Sequence, residues 1–143
     1  MNYKEKRSII VVGCGRLGST IASLLSERNL NVIVLDIDQS NFRKLAASYG
    51  GLTKEGDGTD IDMLERVGIK EAGVLVATTN DDDVNIMIAQ IAKEIFHVDE
   101  VITRIYDASK DITCNRMGIH VISPTRLSVD EFRRVLFQEG CGQ

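Results

Sequence analysis

"IIVVGCGRLGSTIA", from Ile9 to Ala22, decides the fold. With Ser8 it opens on "SIIVV" (8–12), whose continuous apolar run is of the kind buried on both faces of a parallel sheet. Gly13, Gly15 and Gly18 follow in GxGxxG spacing, and a helix begins within them. Leu17, Ile21, Leu24 and Leu25 then recur at helical spacing as one apolar stripe. In a dinucleotide-binding turn each glycine has a task. Gly13 allows the tight turn, Gly15 lets a pyrophosphate approach the backbone, and Gly18 lets the helix pack on the sheet. Backbone N–H groups and the helix dipole favour an anion there. Arg16, at the first turn, reads as a phosphate contact or as a solvated arginine.

The second strand, "NVIVLD" (31–36), ends in Asp36, 18 residues after Gly18. An acid about 20 residues beyond the glycines accepts from ribose hydroxyls and repels a 2′-phosphate, which disfavours NADP. The loop, the helix and the acid stand in register, so the stretch reads as a nucleotide site rather than a bare turn.

The strand–helix unit repeats to the end of the chain. A helix is expected over Gln39–Tyr49, capped by Asp38 or Ser40, and a polar strand over 51–57, near a sheet edge. A short helix over Asp60–Val67 and a strand over 73–79 follow. Asp81–Phe96 reads as the most apolar helix, with Val84, Ile88, Ile91 and Ile95 on one stripe and Ile86, Met87 and Ala89 off it. Two apolar sides mean two packing surfaces, the second suited to a partner subunit. A strand over 100–106, a helix over Ala108–Met117 and a short strand over 120–123 come next. Pro124 suits a first helical turn, and the last helix runs to about Gln138, ended by Gly140 and Gly142. The fold class is α/β: a Rossmann-type, doubly wound parallel sheet with helices on both faces and an extra C-terminal helix. Residues 1–143 read as a single nucleotide-binding domain.

Composition narrows the function. The length of 143 residues leaves little room for a second, substrate-binding domain. The net charge of −4 argues against a nucleic-acid surface. Apolar runs of about five residues fall far short of a membrane span and of a signal peptide. Cys14, Cys114 and Cys141 form no CxxC pair, which disfavours a zinc site or disulfide framework and suits a reducing cytoplasm. Cys14 reads as a small residue tolerated beside the ligand. His97 and His120 have no partners in sequence that suggest catalysis.

The remaining motifs are more specific than the glycines. "EGDGTDIDMLERVGI" (55–69), "VATTNDDDVN" (76–85) and "ITRIYD" (102–107), together with "GCGRLGS" and "DIDQS", resemble the TrkA-N domain over about residues 8–125. This family, also called KTN or the RCK N-lobe, comprises regulatory subunits and domains of bacterial and archaeal potassium transporters and channels. The resemblance implies that Gly13, Gly15, Arg16, Leu17 and Gly18 line the phosphates, and that Asp36 binds the adenosine ribose with Asp38 beside it. It implies that Asp57, Gly58 and Thr59 flank the adenine; Gly58 stands where the family usually has alanine. It places Thr78, Thr79 and Asn80 at the pocket's close, and Asn85 and Arg104 at the nucleotide's distal end.

Several of these residues carry a second reading. Asp57 in "GDG" suits a plain turn equally well. Thr79 or Asn80 is expected to cap the following helix. Asp81, Asp82 and Asp83 in a first turn suit the helix dipole better than a metal. Arg104 on a buried-looking strand calls for an anionic partner, either a phosphate or a carboxylate.

The resemblance further implies a non-enzymatic sensor holding NAD(H) or ATP/ADP at one shared site, with AMP a further candidate. It implies a homodimer that assembles into a ring beneath a membrane potassium transporter or channel pore subunit, on the cytoplasmic side. The final helix would be its crossover or interface element. Regulatory subunits of this kind generally carry a further C-terminal lobe, so the chain reads as a stand-alone N-lobe or as a fragment. The competing readings are a small NAD-dependent oxidoreductase, which needs a positioned acid or base that the sequence does not display, and another nucleotide-sensing Rossmann module.

Overall fold

A computed structural model describes residues 7–138, so Cys141, Gly140 and Gly142 lie outside the described residues. Six strands form one wholly parallel sheet: β1 (Ser8–Val12), β2 (Val32–Asp36), β3 (Leu52–Glu55), β4 (Ala72–Ala77), β5 (Glu100–Arg104) and β6 (His120–Ile122). Their order is β3-β2-β1-β4-β5-β6, so the chain runs outward from β1 to one edge and then reverses across it to the other. The reversal places a crevice between the β1 and β4 carboxyl ends, where ligands of open α/β sheets bind. β3 is an edge strand exposed throughout, as its polar sequence predicts.

Alternation along β1 divides the core between two layers. Ile9 and Val11 join Val32, Val34, Val74 and Val76 under helix α1 (Arg16–Glu27). Ile10 and Val12 join Leu35, Leu75 and Ala77 on the opposite face. There they meet α2 (Ile61–Arg66), α3 (Asp82–Gln90) and α4 (Asp111–Arg116) through Leu64, Ile88 and Cys114. Helices on both faces of a parallel sheet make this a Rossmann-type fold.

Several sequence expectations change in the structure. The helix expected over Gln39–Tyr49 is only a 3₁₀ segment, Gln39–Lys44, capped by Asp38. Beyond it, Ser23 and Ser26 of α1 accept from the N–H groups of Ala46 and Gly50 (3.0 and 2.8 Å), diverting them from a helical ladder. The face of α1 nearest the sheet is Gly18, Ser19 and Ala22, whereas Leu24 of the expected stripe is half exposed. Small residues let the backbones approach, so the larger ones flank the contact.

The apolar helix from Asp81 widens into a π-turn over Ile91–Ile95. Its buried line is Asn85, Ile88, Ala89 and Ala92, and the change of pitch leaves Ile95 outside. The helix expected over Ala108–Met117 splits into a 3₁₀ turn, Ala108–Lys110, and α4. The strands expected over 73–79 and 100–106 end earlier, at Ala77 and Arg104, and their remaining residues form loops at the crevice.

The last helix, α5 (Pro124–Phe137), begins on a Ser123 cap with Pro124 in its first turn. It buries no residue and holds to the body through Arg126, whose guanidinium meets Asp111 at 3.0 Å. Among the described residues, no helix is long and apolar enough to cross a membrane.

Candidate functional site

At the carboxyl ends of the strands lies a cleft of about 410 Å³. Its walls come from four turns: Gly13 and Gly15 after β1, Asp36–Asp38 after β2, Gly56–Thr59 after β3, and Thr78–Asp81 after β4. Ten of the residues singled out in sequence therefore meet here: Gly13, Gly15, Asp36, Asp38, Asp57, Gly58, Thr59, Thr78, Thr79 and Asn80.

The glycine turn is built as its spacing predicts. Gly13 has φ +99°, a region that disfavours side chains, and a Cβ there would fall 2.7 Å from the Thr78 carbonyl. A Cβ on Gly18 would lie 1.8 Å from the Gly13 oxygen. Gly15 differs, because nothing lies within 4 Å of the space its Cβ would fill. Gly15 is also the N-cap of α1 and offers no side-chain cap, so the first-turn N–H groups, including those of Leu17 and Gly18, lack that partner. An anion is the natural complement of such a helix start. Arg16 is exposed, and neither it nor Leu17 nor Gly18 is part of the cleft wall.

Asp36 is 8% exposed and strongly held. The Cys14 N–H donates to its Oδ2 at 2.6 Å; the Asp38 N–H and the Asn41 amide donate to its Oδ1 at 2.8 and 3.2 Å. Asp38 accepts from the Ser40 hydroxyl and N–H, which hold its carboxyl below the usual range. Asp57 closes a turn, as one of its sequence readings expects, by accepting from the Thr59 N–H and hydroxyl, and it also lines the cleft. The departure at Gly58 has a packing reason, because a Cβ there would meet Val12 Cγ1 at 2.6 Å and Ile88 Cδ1 at 3.0 Å. These apolar groups also form part of the cleft floor.

The loop after β4 is clamped from behind. Asn85 is fully buried; its Oδ1 accepts from the Thr79 N–H and hydroxyl, while its Nδ2 donates to the Thr79 and Arg104 carbonyls. The cap of α3 is Asp81, which accepts from the Asp83 and Val84 N–H groups, and not Thr79 or Asn80. Thr79 is committed to Asn85 instead. Arg104 donates to the Thr78 and Thr79 carbonyls and lies over the Tyr106 ring, 4.8 Å from its centroid. Within the protein, carbonyl oxygens thus take the role expected of a carboxylate. Neither Asn85 nor Arg104 lines the cleft; both shape its wall from the second layer.

The acidic triplet divides its labour in the same structural way. Asp82 accepts from the Tyr106 and Asp107 N–H groups, both at 2.9 Å, and Asp83 pairs with Lys110. No cluster of metal-ligating side chains occurs among the described residues. Cys14 is buried beside Asp36; burial first, and the carboxylate second, push its thiol up to about 11. His120 is exposed and lies 3.3 Å from Glu100.

Asn41, Lys44, Val84 and Ile88 also line the cleft and were not among the sequence candidates. Val84 and Ile88 read only as core. Asn41 and Lys44 fall three apart on a 3₁₀ turn, which eclipses such positions and brings both to one side. The α-helix expected there would also put the two on one face; what the sequence does not show is that this face meets the cleft.

Comparison with known proteins identifies the family. Residues 9–124 match the family model of the TrkA-N domain. The chain belongs to the TrkA-N family. It is 39% identical over 132 residues to the Trk system potassium uptake protein TrkA of Streptomyces coelicolor, covering 92% of this chain and 59% of that protein. The TrkA-N chain thus spans about three-fifths of that relative's length. In fold it is similar to the TrkA-N domain of the Escherichia coli inner membrane protein YbaL, with TM-score 0.81, 17% identity and coverage of 94% of this chain and 99% of that one. The NAD-bound GsuK channel aligns with TM-score 0.80 and 22% identity over 95% of this chain and 24% of its own; GsuK has also been solved bound to ADP. The Kef C-terminal domain of Shewanella denitrificans, in AMP-bound form, aligns with TM-score 0.76 and 22% identity over 94% of this chain and 84% of its own.

Proposed function

We propose that this TrkA-N chain is a non-enzymatic regulatory part of a potassium uptake system or channel, and that its cleft binds an adenine nucleotide. The observation that carries this reading is the cleft itself. It joins a glycine turn open to phosphate at Gly15 and a buried ribose-type acid, Asp36, in a chain whose family relatives bear potassium-uptake names. The candidates are NAD(H), ATP or ADP at one shared site, with AMP a further ligand of that site. The phosphates lie against Gly13, Gly15 and the first turn of α1, where Arg16 reaches a terminal oxygen. The ribose meets Asp36, with Asp38 beside it, and the adenine lies by Asp57, Gly58 and Thr59. Thr78, Thr79 and Asn80 close the site, and Arg104 supports them from behind.

Residues 1–143 act as one nucleotide-binding unit. Its partners are a second copy, in a dimer that builds a ring, and a membrane potassium pore subunit; nucleic acid is not a partner. The chain works at the cytoplasmic face through that pore subunit. Leu127, Phe132, Val135 and Leu136 of α5, each at least 60% exposed, support an interface on this helix. Regulation requires that nucleotides bind two assembly states with different affinity.

Calorimetry with NADH, NAD, ATP, ADP and AMP, singly and in competition, tests the reading. Mutually exclusive binding that Asp36→Ala weakens about tenfold or more is the expected result. Binding indifferent to Asp36, or steady NADH oxidation with carbonyl substrates, would overturn it.

A further inference from the structure

The acid at the end of β2 is more fully occupied than a free ribose receptor. A carboxylate offers about four lone-pair positions. At Asp36 the two of Oδ1 are taken by the Asp38 N–H at 2.8 Å and the Asn41 amide at 3.2 Å. One of Oδ2 is taken by the Cys14 N–H at 2.6 Å. Two of these donors are backbone groups, set by the turn and the strand end. The third is a side chain, and it is braced in turn: Lys44 Nζ donates to Asn41 Oδ1 at 2.7 Å. Lys44 is the one cationic side chain on the cleft wall among the described residues, a wall that also carries Asp36, Asp38, Asp57 and Asp81. Its charge favours Asn41 turned so that the carbonyl faces the ammonium and the NH₂ faces the carboxylate. The reverse orientation would set the Asn41 oxygen against Asp36 and its NH₂ against Lys44.

We infer that Asn41, oriented by Lys44, is a specificity-determining residue that fills Asp36 Oδ1 and leaves the acid a single open acceptor on Oδ2. The inference rests on the cleft being the nucleotide site proposed above. A ribose presents two vicinal hydroxyl donors. With Oδ1 filled, Asp36 accepts strongly from one of them, and the other hydroxyl gains little from the acid. The site therefore discriminates between 2′-deoxy and 3′-deoxy nucleotides. Removing the Asn41 amide reopens Oδ1 and lets both hydroxyls count. A merely structural Asn41 would alter affinity for all analogues alike.

The test is calorimetry of the full chain with ADP, 2′-deoxy-ADP and 3′-deoxy-ADP, in wild type, Asn41→Ala, Lys44→Met and Asp36→Asn. Wild type is expected to lose about tenfold or more on removal of one hydroxyl and less than about threefold on removal of the other. In Asn41→Ala the second hydroxyl becomes worth a comparable loss, and Lys44→Met lies between the two proteins. Asn41 is half-buried on a 3₁₀ turn that has no fully buried residue, and thermal unfolding of each variant checks that the fold is kept. Equal sensitivity of wild type to both hydroxyls overturns the inference, as does an asymmetry that Asn41→Ala leaves unchanged. If ADP binds but Asp36→Asn has no effect, the ribose assignment itself fails. If ADP does not bind wild type, the inference falls together with the assignment of ADP to the cleft.

Discussion

Gly18→Ala is the sharpest perturbation of the glycine turn. The added Cβ would lie 1.8 Å from the Gly13 oxygen, 2.9 Å from the Gly13 carbonyl carbon and 2.8 Å from Thr78 Oγ1. Two of these atoms are backbone and cannot rotate away. Non-bonded carbon settles at about 3.5 Å or beyond, so α1 must withdraw from the turn by more than an ångström. Overpacking of this kind costs about 1–3 kcal/mol. The shift also disturbs the buried Thr78 hydroxyl, which lies 3.1 Å from both the Val12 and the Gly13 oxygens; that hydrogen bonding is worth about 1 kcal/mol. The expected loss is about 2–4 kcal/mol, lowering Tm on the order of 10 °C for a domain of this size. Gly15→Ala is the matched control. Its Cβ meets nothing within 4 Å, and φ −79°, ψ −161° is open to alanine. The poorer N-cap and the stiffer unfolded chain nearly offset, leaving stability within about 0.5 kcal/mol. Urea unfolding followed by circular dichroism measures both variants. An unchanged midpoint for Gly18→Ala, or equal destabilisation of the two, would refute the packing argument.

Asn85→Ala removes four hydrogen bonds behind the cleft and strands the Thr79 N–H; a loss of about 2–4 kcal/mol is expected by urea unfolding, with faster amide exchange at Thr79. Alkaline pH should destabilise the fold. Burial raises Cys14 from 9.0 to about 11 and Tyr49 from 10.0 to about 12, so the unfolded chain loses these protons first and stability falls as pH rises from about 9 towards 12. Urea midpoints across that range check this, and Cys14→Ala should flatten the lower part of the decline. On α5, Phe132→Asp with Leu136→Asp, at positions 68% and 69% exposed, should leave thermal stability within about 1 kcal/mol while halving the mass seen by light scattering. A dimer that survives both changes would exclude this face as its interface.

Much of the cleft was legible in the sequence because its parts are backbone requirements. Gly13 needs φ > 0, Gly18 needs room beside the Gly13 carbonyl, and Asp36 ends a strand whose apolar run marks it as central. Such demands are met by residue type and spacing alone. The second layer was not legible in this way. Asn85 and Arg104 carry polar groups that suit a ligand, yet in the folded chain Asn85 is taken up by Thr79 and the Arg104 carbonyl, and Arg104 donates through Nη2 to the Thr78 and Thr79 carbonyls while its Nε has no partner. Nothing in spacing separates those two fates, because both place the residue near a strand end.

By itself the sequence determined the alternating architecture and the glycine turn, which follow from local periodicity and steric rules, and its motifs carried the resemblance to the TrkA-N family. Only the tertiary structure decided which helices would hold their pitch. Serines of α1 stop the segment after β2 at Lys44, and a π-turn rotates Ile95 out of the core. Tertiary structure alone also brought Lys44 and Asn41 to Asp36. The physical reason is competition for hydrogen bonds: an amide that leaves its own helix for a side chain elsewhere changes the phase of every residue after it. That choice depends on groups distant in the chain, which no local pattern records.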